Sequence, residues 1–334
     1  MCTAVTYKTK DHYFGRNLDL EYSYRENVTV TPRNYPFRFR CMGEMKSHYA
    51  LIGMATMAEG YPLYYEATNE KGLSIAGLNF PQIATYYPEQ AGRDNIAPFE
   101  LIPWLLGQCE TVAQVRLLLE RIQIVNIDFS KDFPLSPLHW LISDREESIT
   151  VEPMPDKLKI YDNPIGVLTN SPPFDYQMYH LSSYMNLTKH PAQNRFCEAV
   201  PLEAYSLGLG CYGLPGDLSS PSRFVKAAFT KLNSLSGDSE SQSISQFFHI
   251  LGGVAQQRGL VRVRDDKYEF TLYSSCCNTD KGIYYYTTYE NSQITAVDMH
   301  AEDLSGHTPI CYPLITGQQI RMQNKKAEIE HDPL

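Results

Sequence analysis

The chain has 334 residues, 43% hydrophobic and 20% charged, enough to bury a large core in one or two domains and too apolar for a disordered chain. Lys and Arg number 29 against 38 Asp and Glu, a net charge of −9 with no basic block, which excludes the electrostatic footprint of a nucleic-acid partner and leaves any anionic substrate to individually placed arginines. Eight cysteines with no C-x-x-C pair and nine histidines with no H-E-x-x-H exclude a disulfide scaffold and the familiar zinc spacings, so neither metal nor cofactor is implied.

The first predicted element is a hairpin. An apolar run (Ala4, Val5, Tyr7) meets a polar turn from Lys8 to His12, and Tyr13 to Asp19 returns beside the chain start. Lys8, Lys10, Asp11 and His12 interrupt this segment before a secretory apolar stretch could form. No later run approaches the ~20 apolar residues of a membrane span. A cytoplasmic protein with reduced thiols and no membrane insertion is expected. Short strands follow at residues 28–30, 49–54, 63–67 and 73–79, with Asn69-Glu70-Lys71-Gly72 as a turn whose glycine supplies positive φ. Helices are predicted over 98–106, opened by Pro98, and over 111–122, capped by Thr111 with Val112, Val115, Leu118 and Leu119 on one face. Strands at 138–142, 148–151, 158–161 and 165–169 lead to Pro172-Pro173 and a helix over 174–185. A Gly/Pro/Ser-rich loop spans 205–222, helices follow from Pro221 and over 243–254, and the last strands are 268–273, 282–289 and 293–297. Abundant tyrosine (24, against 14 Phe and 2 Trp) suits a strand-rich chain. Alternating groups of strands and helices predict an α+β fold, a four-layer αββα sandwich of two mainly antiparallel sheets. No linker divides the chain, so residues 1–322 are expected to form one domain, with a charged tail over 323–334.

Met1-Cys2-Thr3 carries the chemistry. Cys2 is small enough for Met1 to be trimmed, which would leave a thiol and a free α-amine on one residue. Their ordinary pKa values are about 8.5 and about 7.7–8.0, so a nucleophile and its base would sit together, as in an N-terminal nucleophile amidohydrolase. The hairpin returns Arg16 and Asp19 to this point. Asn79 and Asn170 end predicted strands, where asparagine serves a turn or donates to an oxyanion. Arg223 near a helix start is a solvated residue or a cation placed for a thiolate or an anionic substrate. Gly208-Leu209-Gly210-Cys211-Tyr212-Gly213 spells G-x-G-x-x-G, but Leu214-Pro215-Gly216-Asp217 continues as a turn and not as a helix, so a dinucleotide site is rejected. Cys109 and His139 lie in no recognisable protease context.

Several motifs together resemble the choloylglycine hydrolase family, most closely its bacterial bile salt hydrolases. They are Met1-Cys2-Thr3-Ala4, Phe14-Gly15-Arg16-Asn17-Leu18-Asp19, Asn69-Glu70-Lys71-Gly72-Leu73, Ala76-Gly77-Leu78-Asn79, Leu138-His139-Trp140, Leu168-Thr169-Asn170-Ser171-Pro172, Gly213-Leu214-Pro215-Gly216-Asp217, Ser222-Arg223-Phe224 and Lys281-Gly282-Ile283-Tyr284-Tyr285-Tyr286. The resemblance runs from residue 1 to about 320. It implies the N-terminal nucleophile hydrolase fold, a homotetramer, and cleavage of glycine- or taurine-conjugated bile acids without a cofactor. It further implies Cys2 as nucleophile, Asp19 against its amine, Arg16 against its thiol, Asn79 and Asn170 as an oxyanion and orientation pair, and Arg223 as electrostatic support. Leu18, Phe129 and Phe133 fit a steroid-facing wall or ordinary core packing. Penicillin V acylases resemble the chain in fold and nucleophile but typically have Tyr where Asn79 stands, and an N-acyl amide hydrolase of that kind is the alternative. A non-catalytic steroid- or lipid-binding protein is the alternative from another class. The loop Tyr205 to Gly210, with Leu207 where some relatives carry arginine, leaves headgroup preference open.

Overall fold

A computed structural model describes residues 1–324, so most of the expected charged tail, residues 325–334, lies outside the described residues. The chain opens with β1 (Cys2–Lys8), β2 (His12–Leu20) and β3 (Asn27–Thr31). The small pair β4 (Phe37–Phe39) and β5 (Gly43–Met45) precedes β6 (Leu51–Ala58), β7 (Tyr61–Asn69) and β8 (Ser74–Asn79). Next come β9 (Asp94–Ile96), helices α1 (Leu101–Leu106) and α2 (Val112–Leu119), then β10 (Ile122–Ile124), β11 (Leu138–Ser143), β12 (Ser148–Pro153), β13 (Leu158–Asp162) and β14 (Val167–Leu168). Helices α3 (Phe174–Leu181), α4 (Ser220–Asn233) and α5 (Glu240–Gly252) are followed by β15 (Val261–Arg264), β16 (Lys267–Asn278), β17 (Ile283–Thr288), β18 (Asn291–Asp298) and β19 (Ile310–Pro313).

Two antiparallel sheets dominate. One has seven strands, in the order β14-β1-β2-β16-β17-β18 with β15 added to β16; the other has eight, β13-β12-β11-β8-β7-β6-β3-β19. Helix α4 packs against β1 and β14, α5 against β16 and β1, and α1 against β7 and β8. This is the expected αββα arrangement. One apolar cluster joins Ala4, Phe14 and Leu18 of the first sheet to Val28, Met54, Ala76 and Leu78 of the second, and reaches Phe224 and Phe247 of the helices. A second cluster seats Leu105, Val115 and Leu119 against Leu51, Ile75 and Ile142. Each such large side chain stabilises the fold by roughly 1.5–3 kcal/mol on burial.

The register of the opening hairpin sets up the site. Cys2 pairs with Leu18, Thr3 with Asn17 and Ala4 with Arg16, and directly opposed residues share a face. Arg16 therefore points across to the eight-stranded sheet, where it donates to the carbonyls of Tyr65 and Gly77. Asn17 points the other way and donates to the Leu251 carbonyl of α5. A Cβ on Gly15 would collide with the backbone of Ser275, so β2 and β16 close against each other only with glycine there.

Some boundaries differ from the sequence expectation. The helix expected over 98–106 splits into a 3-10 turn (Pro98–Glu100) and α1. Helix α5 starts earlier than expected, at Glu240, because the Ser239 side chain accepts from Gln242 N in a capping box. Thr111 caps α2 as expected, accepting from Gln114 N. The G-x-G-x-x-G stretch holds only a 3-10 turn, Leu209–Cys211, with Gly208 and Gly213 at positive φ and no helix growing from it.

Candidate active site

Cys2, at the first position of β1, is 3% exposed, and Arg16, Asp19, Asn170 and Arg223 are buried around it. Each arrives on a different piece of chain: Arg16 and Asp19 on β2, Asn170 just after β14, Arg223 in the first turns of α4. Cys2 N donates to Asn170 Oδ1 at 2.8 Å. Arg223 binds the same oxygen through Nη2 at 2.8 Å and uses Nη1 to hold the Cys2 carbonyl and Thr3 Oγ1, both at 2.6 Å. The backbone of Cys2 is thereby fixed from two sides.

Asn170 and Asn79 are neighbours, since Asn170 Nδ2 donates to the Asn79 carbonyl at 2.7 Å. Both ends of the Asn170 amide are thus engaged by the protein, while Asn79 lines the adjoining cavity. Asn170 is itself held by Ser220 Oγ, which accepts from its backbone N–H at 2.8 Å. Behind it, His139 bridges Glu152 and the Thr169 carbonyl, at 3.0 and 2.8 Å. These contacts belong to the folding of the 168–172 turn, so His139 supports the site from beneath and does not partner Cys109.

The electrostatics are those of charges taken out of water. Burial pushes the Asp19 carboxyl up, opposed by Arg223, the chain-terminal ammonium, the Thr271 hydroxyl and Arg16. Asp19 Oδ1 accepts from Thr271 Oγ1 at 2.6 Å, whereas Oδ2 is buried without a partner. Burial lowers the Arg223 guanidinium against the pull of Asp19 and Cys2. Burial would lower Arg16 too, but Cys2, Tyr273, Glu66 and Asp19 together hold it above its ordinary value. The ammonium of Met1 lies against Glu269 and is lowered by burial; Met1 O accepts from Asp19 N at 3.0 Å.

Cys2 and Arg16 open onto a cavity of about 410 Å³ walled by Leu18, Leu20, Leu63, Phe99, Phe129 and Phe133. The three residues expected as either steroid wall or core packing, Leu18, Phe129 and Phe133, all line it. Phe129 packs edge-on against both Phe99 and Phe133, at centroid distances of 5.2 and 6.2 Å. A depression of about 450 Å³ elsewhere, bordered by Tyr87, Arg93 and Leu158, is lined by no cysteine, serine or threonine. The loop from Tyr205 to Gly210 is not part of the cavity wall, and Leu207 is 93% exposed.

Residues 2–312 match the family of linear amide C–N hydrolases known as choloylglycine hydrolases. The chain belongs to the choloylglycine hydrolase family. It is therefore a hydrolase acting on linear amide C–N bonds. Among relatives of this choloylglycine hydrolase family member, a bile salt hydrolase/transferase of Lactiplantibacillus plantarum is 58% identical over 314 residues, covering 94% of this chain and 97% of that protein. The crystal structure of the C2A mutant of conjugated bile acid hydrolase from Clostridium perfringens matches with a TM-score of 0.90 at 39% identity, over 97% of this chain and 100% of that one. Penicillin V acylase from Agrobacterium tumefaciens shares the fold, with a TM-score of 0.72 at 20% identity over 92% of this chain and 90% of that one.

Sequence reasoning missed Glu66, Thr271, Ser220 and Tyr65, all in contact with the expected set. Thr271 and Ser220 carry no pattern that marks them. Glu66 had one available signal, a carboxylate in a strand flanked by apolar residues.

Proposed function

We propose that this chain is a bile salt hydrolase, cleaving the amide that joins a bile acid to glycine or taurine with the Cys2 thiol as nucleophile once Met1 is removed. The observation that carries it is that Cys2, with Arg16 and Asn79, lines a cavity whose remaining walls are largely aliphatic and aromatic. A conjugated bile acid has the matching division, a large apolar acyl group and a polar amide. The family membership and the 58% identical relative named as a bile salt hydrolase/transferase support the same activity.

With Met1 gone, the nitrogen that donates to Asn170 Oδ1 becomes the α-amine of Cys2. Asn170 orients it, and the unpartnered Oδ2 of Asp19 supplies a nearby negative charge. The thiol proton passes to this amine as sulfur attacks the amide carbon. Asn79, whose neighbour Asn170 is already engaged, faces the oxygen that gains charge. As the tetrahedral intermediate collapses, the C–N bond breaks and the ammonium returns its proton to the leaving glycine or taurine. Water deprotonated by the same amine then splits the thioester, releasing the bile acid and restoring the thiol. Arg16 and Arg223 counter the negative charge that builds at the sulfur and carbonyl. Burial of the steroid against Leu18, Phe129 and Phe133 contributes binding at about 25 cal/mol per Å² before ordering costs, so several steroid cores and both headgroups are accepted.

Residues 1–322 work as one catalytic domain in this scheme. The protein is a cytoplasmic homotetramer: its eight free cysteines suit a reducing compartment, and exposed Tyr179, Phe196, Leu207 and Tyr212 provide apolar surface for assembly. No helix among the described residues is long and apolar enough to cross a membrane. Assaying processed protein with glycocholate, taurocholate and penicillin V tests the substrate. Cholate release from both conjugates, faster than penicillin V cleavage, is the expected result; preference for penicillin V, or steroid binding without turnover, would overturn it.

A further inference from the structure

Arg16 is an arginine with no exposed surface, beside a nucleophile, and its donors are unevenly used. Nε reaches the Asn17 carbonyl at 3.4 Å, Nη1 holds the carbonyls of Tyr65 and Gly77, and Nη2 is buried without a partner. A buried cation needs a counter-charge. The nearest carboxylate is Glu66 on β7, 2% exposed, with Oε2 at 3.8 Å from Nη1. That separation is too long for a hydrogen bond, although arginine and carboxylate free to meet form a two-pronged fork.

Three hydroxyls explain the gap. Tyr273 donates to Glu66 Oε2 at 2.8 Å, and Ser275 and Tyr284 donate to Oε1 at 2.9 and 2.5 Å. All three project from β16 and β17 of the opposite sheet, so the Glu66 carboxylate is gripped across the inter-sheet space. Ser275 Oγ also accepts from the backbone N–H of Arg16 at 3.2 Å, tying the grip to the strand it serves.

We propose that Glu66, held back by Tyr273, Ser275 and Tyr284, is a positioning residue for Arg16: it supplies the counter-charge that lets the guanidinium stay buried while leaving Nη2 free beside Cys2. The role rests on the function proposed above, with Arg16 acting toward the Cys2 sulfur. Burial pushes the Glu66 carboxyl up, while Arg16 and the three hydroxyls oppose the shift by favouring its charged form. The charged and titratable groups facing Cys2 are Arg16 and Asp19 from β2, Arg223 from α4 and the residue's own amine. Those facing Glu66 are Arg16, Tyr273, Tyr284 and Cys277.

The test compares processed parent protein with Glu66→Gln, which retains the side-chain size and an acceptor oxygen, and with Tyr284→Phe, which loosens the grip while sparing the carboxylate. Iodoacetamide labelling of Cys2, followed against pH on the N-terminal peptide, reads the sulfur without any bile salt. Removing the Glu66 charge should move that profile to lower pH by about half a unit or more. Tyr284→Phe should move it to higher pH, as the freed carboxylate closes on Arg16. With glycocholate, both variants should lose about tenfold in kcat while KM stays within about twofold, and circular dichroism should match the parent. Labelling profiles superimposable on the parent's, or loss confined to thermal stability, would overturn the proposal. Parent protein that labels normally but leaves glycocholate intact would remove the substrate assignment and leave the Glu66 result standing.

Discussion

At the scale of single residues, the two asparagines separate by what already binds them. Asn170 accepts from Cys2 N and Arg223 and donates to the Asn79 carbonyl, so its amide is committed to geometry. Asn79 faces the cavity and is the better placed of the two for an oxyanion. Replacing Asn79 with alanine should lower kcat by roughly 10²–10³, the usual cost of one oxyanion donor, with an unchanged melting temperature. Asn170→Ala should lower both turnover and melting temperature, because Arg223 loses a buried partner. Steady-state kinetics beside calorimetry checks the pair, and equal kinetic effects with equal stability would void the division. Cys2, Arg16 and Asp19 were legible because one hairpin brings them together. Glu66 was not, because alternation along a strand normally assigns such a residue to solvent, and its partners lie 207, 209 and 218 residues away in sequence.

At the scale of elements, the opening hairpin was readable from an apolar run, a polar turn and a return. Strand β16 was only half readable. Sequence pattern supports 268–273, yet the strand runs to Asn278 through Ser274-Ser275-Cys276-Cys277, which looks like a turn on polarity alone. In the fold this half lies between β2 and β17, where Ser274 Oγ donates to Asn17 Oδ1 and Ser275 Oγ to Glu66. Polar residues thus fill a central strand because the site behind them is polar. The start of β2 holds a titratable anchor. His12, 3% exposed, lies 3.0 Å from Thr279 Oγ1 through Nδ1, and burial, aided by Lys231 against Asp144, pushes its pKa down to about 3. A depressed folded pKa means that the unfolded chain takes up the proton first. The contribution to stability is present above about pH 6.5 and is lost as pH falls toward 3, at about 1.4 kcal/mol per pH unit. Chemical denaturation of His12→Gln against the parent between pH 7 and 4 should show a shallower acid loss in the variant; parallel curves would exclude His12 as the cause.

For the whole molecule, the four layers were legible from the order of strands and helices, whereas short strands such as β4, β5, β15 and β19 were too brief to carry a period. The depth of the site was not legible, because it depends on how the two sheets stack. Exposed aromatic and aliphatic residues along 176–212 should be covered by sister chains, so light scattering is expected to report four chains per particle. A fully active monomer would remove the assembly from the account. The central claim concerns Cys2 itself. Protein made with and without inhibition of methionine removal, sorted by intact mass and assayed with glycocholate, tests it most directly: the account predicts turnover only in the fraction whose mass lacks Met1. Full-speed cleavage by the fraction that keeps Met1 would contradict it.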